Sequence, residues 1–327
     1  MGLASKLIVS SAFMMSLALV VSLITNFSDI FPSDILTAPV RSNLTVLLLA
    51  VMMTISLSRI SSKSLSPLKN PRSLIRGLLL GLVISSLIPI AGYLILRNTE
   101  YADYAAGLVF IAATPFAASV APLSFILRGD MEHALRSTIY VYIAALLWIP
   151  FIIFILAKDV VDMKDLVITV IEVIGVPLIV SRFLTKVKID KQIMATVLNC
   201  IIFFLVWLSV SSTDFSIGIW IMLAFMLIVA LRTFGLGCAV EVIEKRAGIG
   251  WSQRVTDILM MSYKNKGIAI ALCVSTMAPP MIPLAMVAIA SSIVIEICWV
   301  VFMDSVLFSR RRMKRELAKE GSEVGDL

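Results

Sequence analysis

Ten long apolar runs constrain the fold of this chain more than any other feature of its sequence. Nine of the ten runs have 18 to 24 residues and the run at 43–58 has 16, close to the length that lets a helix cross the hydrocarbon core of a bilayer. The predicted spans, numbered 1 to 10, are residues 7–24, 43–58, 74–96, 105–127, 134–157, 165–183, 192–210, 218–240, 255–277 and 281–303. Only 15% of the 327 residues are charged, whereas soluble proteins average about 25%. The sequence therefore predicts an all-α integral membrane protein with ten transmembrane helices.

The basic residues are distributed unevenly between the loops. With the N-terminus in the cytoplasm, most of the 28 lysines and arginines fall in cytoplasmic segments, including a basic tail at 309–327. The outside segments then carry Arg41, Arg97, Lys158 and Lys164. Because cytoplasmic loops are enriched in lysine and arginine, both termini are predicted to be cytoplasmic. The charge of +7 then reflects topology, and no nucleic-acid partner is expected.

The short loops and the lack of other targeting signals are typical of a prokaryotic inner membrane protein. We interpret the basic tail as a topology anchor, with contact to anionic lipid headgroups as the alternative.

Ten spans divide into two sets of five, and an odd number places the second set inverted in the membrane. The predicted units are a first five-helix repeat at 1–159, a second at 160–308 and the basic cytoplasmic tail at 309–327. The fourth span of each half is interrupted, at Thr114–Ser119 and at Ser262–Gly267. Pro115 removes a backbone donor and Gly267 permits non-helical conformations. Backbone freed at membrane depth must be buried or line a cavity, so the breaks predict a transporter site. For span 4, the alternative is a kinked structural helix.

Five charged residues fall well inside the predicted spans, away from the span ends: Glu172, Arg232, Lys264, Lys266 and Glu296. Each costs about 2.5–3.5 kcal/mol at a helix centre, so each requires a partner or a water-filled cavity. Lys264 and Glu296 fall at similar depths, and we expect Glu296 to be the counter-ion of Lys264. The alternative is a purely structural ion pair between spans 9 and 10. The excess of bases favours an anionic substrate or a lysine that cycles between partners, while Lys266 and Glu172 are expected to be structural.

Sequence motifs of catalysis are absent, including H-E-x-x-H, G-x-S-x-G and the P-loop. His133, the single histidine, falls between spans 4 and 5 and is expected to be solvated. The four cysteines lie in apolar runs without metal-ligand spacing. We therefore expect neither an enzyme, nor a metal site, nor a cofactor.

Three stretches resemble the bile acid/sodium symporter family. Residues 47–57, with a basic loop and the Pro89-containing span after them, are similar to its second and third helices. Span 4, with Pro115 and the closing sequence Arg128-Gly129-Asp130, resembles its fourth helix. The segment Lys264-Asn265-Lys266-Gly267-Ile268-Ala269 resembles the crossover of its ninth helix. The resemblance covers essentially the whole chain in order and spacing.

This resemblance implies a panel of spans 1, 2, 6 and 7 and a core of spans 3, 4, 5, 8, 9 and 10. The discontinuous spans 4 and 9 would cross in the core beside the substrate cavity. Members of the family carry organic anions, usually with sodium. We therefore place the substrate and ion site at Thr114, Pro115, Ser119, Ser262, Lys264, Asn265, Gly267 and Glu296.

The positions that would ligate sodium depart from the family pattern. Val120 and Ala121 stand where the family has Ser-Asn, Met260 stands for a glutamate, and Lys264 for a glutamine. A hard cation needs several oxygen ligands, which valine, alanine and methionine do not supply. We predict that neither sodium site is intact and that Lys264 is a built-in cation in place of one ion. Proton-coupled or facilitated transport is then favoured over sodium symport.

The sequence thus predicts a secondary transporter of a small organic anion that works by alternating access. One alternative is an arsenite-efflux permease of related fold, which Glu296 in the tenth span favours. That family has a cysteine directly after the span-4 proline, where this chain has Phe116. The other alternative is a non-transporting membrane receptor or sensor.

Overall fold

The computed structural model describes residues 8, 10–60, 71–187 and 190–320. Within these ranges the chain forms helices and isolated β-bridges, and no strand. The predicted start of span 1 at residue 7, the basic loop at 61–70 and the end of the predicted tail at 321–327 lie outside the described residues.

The helices follow the predicted spans closely. They are α1 (Ser11–Phe27), α2 (Ala38–Ser58), α3 (Pro71–Leu96), α4 (Ala102–Ala113), α5 (Val120–Ile126), α6 (Met131–Ala157), α7 (Met163–Leu184), α8 (Lys191–Val210), α9 (Ile219–Arg246), α10 (Trp251–Ser262), α11 (Lys266–Thr276), α12 (Ile282–Leu307) and α13 (Arg310–Lys319). Within the described residues, seven helices are long and apolar enough to cross a membrane: α2, α3, α6, α7, α8, α9 and α12. The helices α1, α4 and α11 are shorter and apolar. The prediction of an all-α, multi-pass membrane protein is confirmed.

Both predicted interruptions are confirmed. The helix α4 ends at Ala113, and extended backbone at Thr114 leads through Pro115 to the start of α5. The helix α10 ends at Ser262, and α11 begins after extended residues, with the side chain of Asn265 accepting a hydrogen bond at its N-terminus. A proline and a capping asparagine are the residue types that end or begin a helix by local chemistry.

Short π-helical turns widen several of the long helices. They lie at Leu79–Ile84 in α3, Ile171–Gly175 in α7, Leu231–Gly235 in α9 and Met303–Leu307 in α12. A π-turn displaces the regular hydrogen-bond ladder and is frequent at functional sites.

The helices pack in two groups. In the first, α1 packs on α8, and α2 packs on α7 and α8. In the second, α4 packs on α3, α6 and α12, while α9 packs on α10 and α12. The half-helix α11 contacts both groups, with α2 and α7 on one side and α4 and α12 on the other. The break before α11 therefore lies where the two groups meet.

The amphipathic helix α13 is docked at the end of the bundle where α9 ends and α10 begins. Its buried face carries Met313 and Glu316, and Glu316 accepts hydrogen bonds from Arg254 (2.9 Å) and Lys245 (3.4 Å). Burial alone would raise the pKa of Glu316, but these hydrogen bonds outweigh it and lower the pKa to about 2. Since the carboxylate is ionised throughout the physiological range, this contribution to docking is lost only as the pH falls towards 2.

Close packing of α4 on α12 depends on Gly107. A Cβ atom there would lie 2.0 Å from the carbonyl oxygen of Ala285 and 3.0 Å from the Cβ of Ala288. We expect Gly107→Ala to lower the free energy of unfolding by about 1–3 kcal/mol, because the helices must separate. Gly235→Ala is the matched control, since a Cβ there meets nothing within 4 Å and the change should stay within about 1 kcal/mol. Thermal unfolding in detergent measures both, and equal midpoints for the two variants would contradict the packing.

Candidate functional site at the crossing of two broken helices

The two interruptions cross and pair with each other. The amide of Asn265 donates to the carbonyl of Pro115 (2.9 Å), and the amide of Ala117 donates to the carbonyl of Tyr263 (3.2 Å). Phe116 and Lys264 thereby form an antiparallel bridge. Each break therefore provides hydrogen-bond partners for backbone groups of the other break. Non-helical backbone at membrane depth requires such partners because lipid supplies none.

The side chain of Lys264 ends in a cage of oxygen atoms. The residue is only 1% exposed. Its ammonium donates to Thr114 O (2.6 Å), Ser86 Oγ (3.0 Å), Ala112 O (3.2 Å) and Gly81 O (3.3 Å). Within the described part of the chain it forms no ion pair, so carbonyl and hydroxyl oxygens alone hold the charge.

Local backbone structure explains why these oxygens attract a cation. Ala112 and Thr114 lie at the end of α4, where the last carbonyls lack a partner in the helix and the helix dipole is negative. Gly81 lies in the π-turn of α3, and Ser86 follows that turn. The fold thus builds a cation site from a helix end and a π-turn, and the chain's own lysine occupies it.

A second buried cation lies at the end of α10. Arg232 is fully buried in the π-turn of α9, and its guanidinium donates to the carbonyl of Met261 (3.2 Å) and to the hydroxyl of Thr233 (3.1 Å). Met261 is in the last turn of α10. Both broken helices therefore end against a basic side chain, α4 against Lys264 and α10 against Arg232.

The predicted pairing of Lys264 with Glu296 is wrong. Glu296 instead pairs with Lys266, with 3.3 Å between Oε2 and Nζ, and both side chains are buried. The depth of a residue along its span cannot show which of two lysines, only two residues apart, pairs with Glu296. Between them the backbone turns into α11, which directs Lys264 to α3 and α4 and Lys266 to α12.

A tyrosine on α6 ties the two breaks together. Asn265 caps α11 by accepting from the amide of Ile268 (3.1 Å), and its Nδ2 donates to the hydroxyl of Tyr142 (2.8 Å). The Tyr142 hydroxyl in turn donates to the carbonyl of Phe116 (2.8 Å). All of these groups are buried, so α6 fixes the crossing through one hydroxyl.

Removal of that hydroxyl should be costly. Tyr142→Phe leaves the carbonyl of Phe116 and the amide of Asn265 without this partner, which should cost about 1–3 kcal/mol of unfolding free energy. Tyr93→Phe is the matched control, since its hydroxyl donates to Leu156 O (2.7 Å) at a partly buried position away from the crossing. We expect denaturant unfolding to show the larger loss for Tyr142→Phe, and unchanged stability of that variant would contradict the link.

The predicted site hydroxyls do not meet around Lys264. Thr114 is buried, but its hydroxyl bonds to the carbonyl of Ile111 (3.0 Å), and only its own carbonyl faces the ammonium. Ser262 lies in the same crossing and accepts from the indole of Trp299 (3.0 Å). Ser119 is exposed at the start of α5 and makes no capping hydrogen bond.

Two of the predicted residues shape the backbone. The carbonyl oxygen of Pro115 accepts a hydrogen bond from the backbone amide of Asn265 at the crossing. Gly267 faces α2, where an added Cβ would lie 2.7 Å from Cδ1 of Leu49. A side chain at Gly267 would therefore require the side chain of Leu49 to move.

The side chains at the positions without sodium ligands also have apolar surroundings in the structure. Val120, Ala121 and Met260 are buried. Val120 and Met260 belong to one hydrophobic cluster with Phe116 and Trp299. Their side chains supply packing and no ligand oxygen.

The expectation that His133 is solvated is wrong. The helix α6 begins at Met131, capped by Asp130, so His133 lies in its first turn and is only 2% exposed. Its Nε2 lies 2.9 Å from Oδ1 of Asp257, which is fully buried on α10. This pair was not predicted from the sequence. Asp257 falls inside predicted span 9, and a carboxylate at that position indicates that a buried partner is needed.

Comparison with known proteins places these features in a family. The model of the Sodium Bile acid symporter family matches residues 44–232, more than half of the chain. No curated protein matches the chain. The family match covers the first break and Lys264's partners on α3 and α4, and the apolar helices fit a membrane transporter. The chain therefore belongs to the sodium bile acid symporter family.

Proposed function

We propose that this protein is a secondary transporter of a small organic anion that works by alternating access without classical sodium coupling. The observation that carries this proposal is the ammonium of Lys264, which fills an oxygen cage at the crossing. An ion from solution is not needed to hold α4 and α3 against the break before α11. Transport is then coupled to protons or is facilitated.

The proposed architecture is ten transmembrane helices in a 5+5 inverted repeat. The repeats are residues 1–159 and 160–308, with a panel of α1, α2, α7 and α8 and a core of the remaining spans. Equivalent features in the two halves support it: a break at α4–α5 and at α10–α11, and a π-turn in α3 and in α9. The basic side chains at the ends of α4 and α10 are a third correspondence.

The proposed membrane is the cell (inner) membrane, with both termini in the cytoplasm. The concentration of basic residues at one end of the predicted helices, including α13, supports this orientation.

The charge around the crossing supports an anionic substrate. Arg232, Lys264 and Lys266 are buried there, and one buried carboxylate, Glu296, pairs with Lys266. Glu172, which the sequence places in the same interior, is exposed on α7. An excess of buried positive charge at membrane depth is favourable when an anion enters beside it.

Transport and its coupling can be tested in one system. Bile acids and smaller carboxylates are screened for thermal stabilisation of the purified protein, and the strongest ligand is radiolabelled. Counterflow into proteoliposomes should occur equally in sodium and in potassium buffer. Stabilisation without counterflow would instead indicate a receptor, and a strict sodium requirement would contradict the proposed coupling.

A further inference from the structure

Four core helices bring ionisable side chains together below the crossing. Arg76 of α3 pairs with Glu244 of α9, and its Nε lies 2.7 Å from Oδ2 of Asp257 on α10. His133 of α6 contacts the other oxygen of the same aspartate at 2.9 Å. Asp257 is fully buried and His133 is 2% exposed. This group, the His133 cluster, lies at the end of the bundle where α13 docks, away from Lys264.

The imidazole of His133 has suitable partners in both protonation states. Its Nε2 faces a carboxylate, which accepts, so Nε2 carries a hydrogen in the neutral ring. Its Nδ1 lies 2.5 Å from the hydroxyl of Ser73 and 3.2 Å from that of Ser137. A hydroxyl donates to a bare Nδ1 and accepts from a protonated one. The ring can therefore gain a proton without losing a hydrogen bond.

The charge balance of the cluster favours a proton. With a neutral ring, one positive charge on Arg76 faces two negative charges, on Asp257 and Glu244. An uncompensated buried charge is unfavourable in a low-dielectric interior. A proton on Glu244 or on His133 cancels it, and the ring of His133 has hydrogen-bond partners for both of its protonation states.

Two other arginines on the same helices have carboxylate partners of their own. Arg136 on α6 pairs with Glu132 at 3.6 Å. Arg254 on α10 pairs with Glu316 (2.9 Å) and Glu241 (3.4 Å). These pairs do not supply the missing positive charge to Asp257.

The cluster has contact with the surface of the protein and with the crossing. The side chain of Arg76 is 30% exposed, so the cluster reaches the surface of the protein near the start of α3. Asp257 lies on α10, whose last residue, Ser262, borders the break. A change of charge at Asp257 therefore acts on the half-helix that leads into the crossing.

We propose that His133, held by Asp257, is the proton-binding site of this transporter. The proton enters from water past Arg76 and adds to Nδ1, and the same bond breaks when it is released. This inference rests on the proposed function, because it names the coupling ion of that transport.

The single histidine makes the test direct. Protein labelled with ¹⁵N-histidine gives ring signals from one residue only, so nitrogen NMR in nanodiscs needs no assignment. We expect the Nε2–H tautomer at pH 9 and reversible protonation of Nδ1 between pH 9 and 5. Glu132→Gln, an exposed neighbour, should titrate like the wild type, and Asp257→Asn should lose the tautomer preference. A ring that stays neutral down to pH 5, or a tautomer that Asp257→Asn leaves unchanged, would overturn the proposal.

Coupling is measured in proteoliposomes with taurocholate as the probe. An inward proton gradient should raise the initial rate of wild-type uptake above the rate without a gradient. His133→Gln should lose this stimulation and Glu132→Gln should keep it. Equal stimulation of wild type and His133→Gln would refute the site. If the wild type carries no taurocholate at all, the substrate proposal fails, while the NMR titration still decides on the proton site.

Discussion

Replacing Lys264 with methionine should abolish transport and destabilise the protein. Methionine is of similar length but donates no hydrogen bond, so the carbonyls of Thr114, Ala112 and Gly81 lose their shared cation. The carbonyls of Ala112 and Gly81 keep the hydroxyls of Ser86 and Ser85 as donors. The expected loss is therefore about 1–3 kcal/mol, the cost of a buried acceptor such as the carbonyl of Thr114 that is left without its partner. Denaturant unfolding in detergent measures the difference.

An exposed lysine provides the control for this substitution. Lys158 lies exposed at the end of α6, and its ammonium lies over the face of Phe154, 5.7 Å from the ring centre. Lys158→Met should change the free energy of unfolding by no more than about 0.5 kcal/mol, as at most surface positions. If Lys264→Met were as stable as Lys158→Met, the oxygen cage would not be holding a cation.

Replacing Glu296 with glutamine should destabilise the protein more, for a different reason. The buried ammonium of Lys266 then loses its carboxylate, and Arg232 loses the same negative charge nearby. Removal of one partner of a buried ion pair costs about 3–5 kcal/mol, whereas replacing both partners with apolar residues is often nearly neutral.

The double variant Lys266→Met/Glu296→Leu should therefore be more stable than Glu296→Gln alone. A double-mutant cycle with the single variants gives the coupling energy, expected at about 0.5–3 kcal/mol for residues in contact. If the single effects simply add, the two side chains are not paired in the folded protein.

The helices and their breaks could be predicted because the signals are local. Hydropathy over some twenty residues locates a span, and each predicted span overlaps a helix or a pair of helices. Pro115 and Asn265 act within a turn of their own positions, so the breaks at Thr114–Ser119 and before α11 were also predictable.

The partners of the buried charges could not be predicted, because they depend on how distant helices pack. Nothing in the sequence separates Lys264 from Lys266 as the partner of Glu296, and only the turn into α11 decides it. His133 and Asp257 are 124 residues apart, and their contact follows from the packing of α6 near α10. The π-turn that presents Gly81 to Lys264 likewise has no clear residue signature.

The built-in cation has a consequence for sodium that can be measured. In the wild type the ammonium of Lys264 and its four oxygen partners leave no room for an ion at that point. In Lys264→Gln the same oxygens remain, the positive charge is gone and the side chain offers one more oxygen. The variant therefore resembles a hard-cation site more than the wild type does.

The most direct measurement is the thermal unfolding midpoint of purified wild type and Lys264→Gln across titrations of sodium chloride and potassium chloride at equal ionic strength. A ligand that binds only the folded state raises its stability by mass action. We predict that the wild type responds equally to the two salts and that Lys264→Gln gains a specific stabilisation by sodium. A sodium-specific response of the wild type itself would contradict the account and identify the protein as an ordinary sodium symporter.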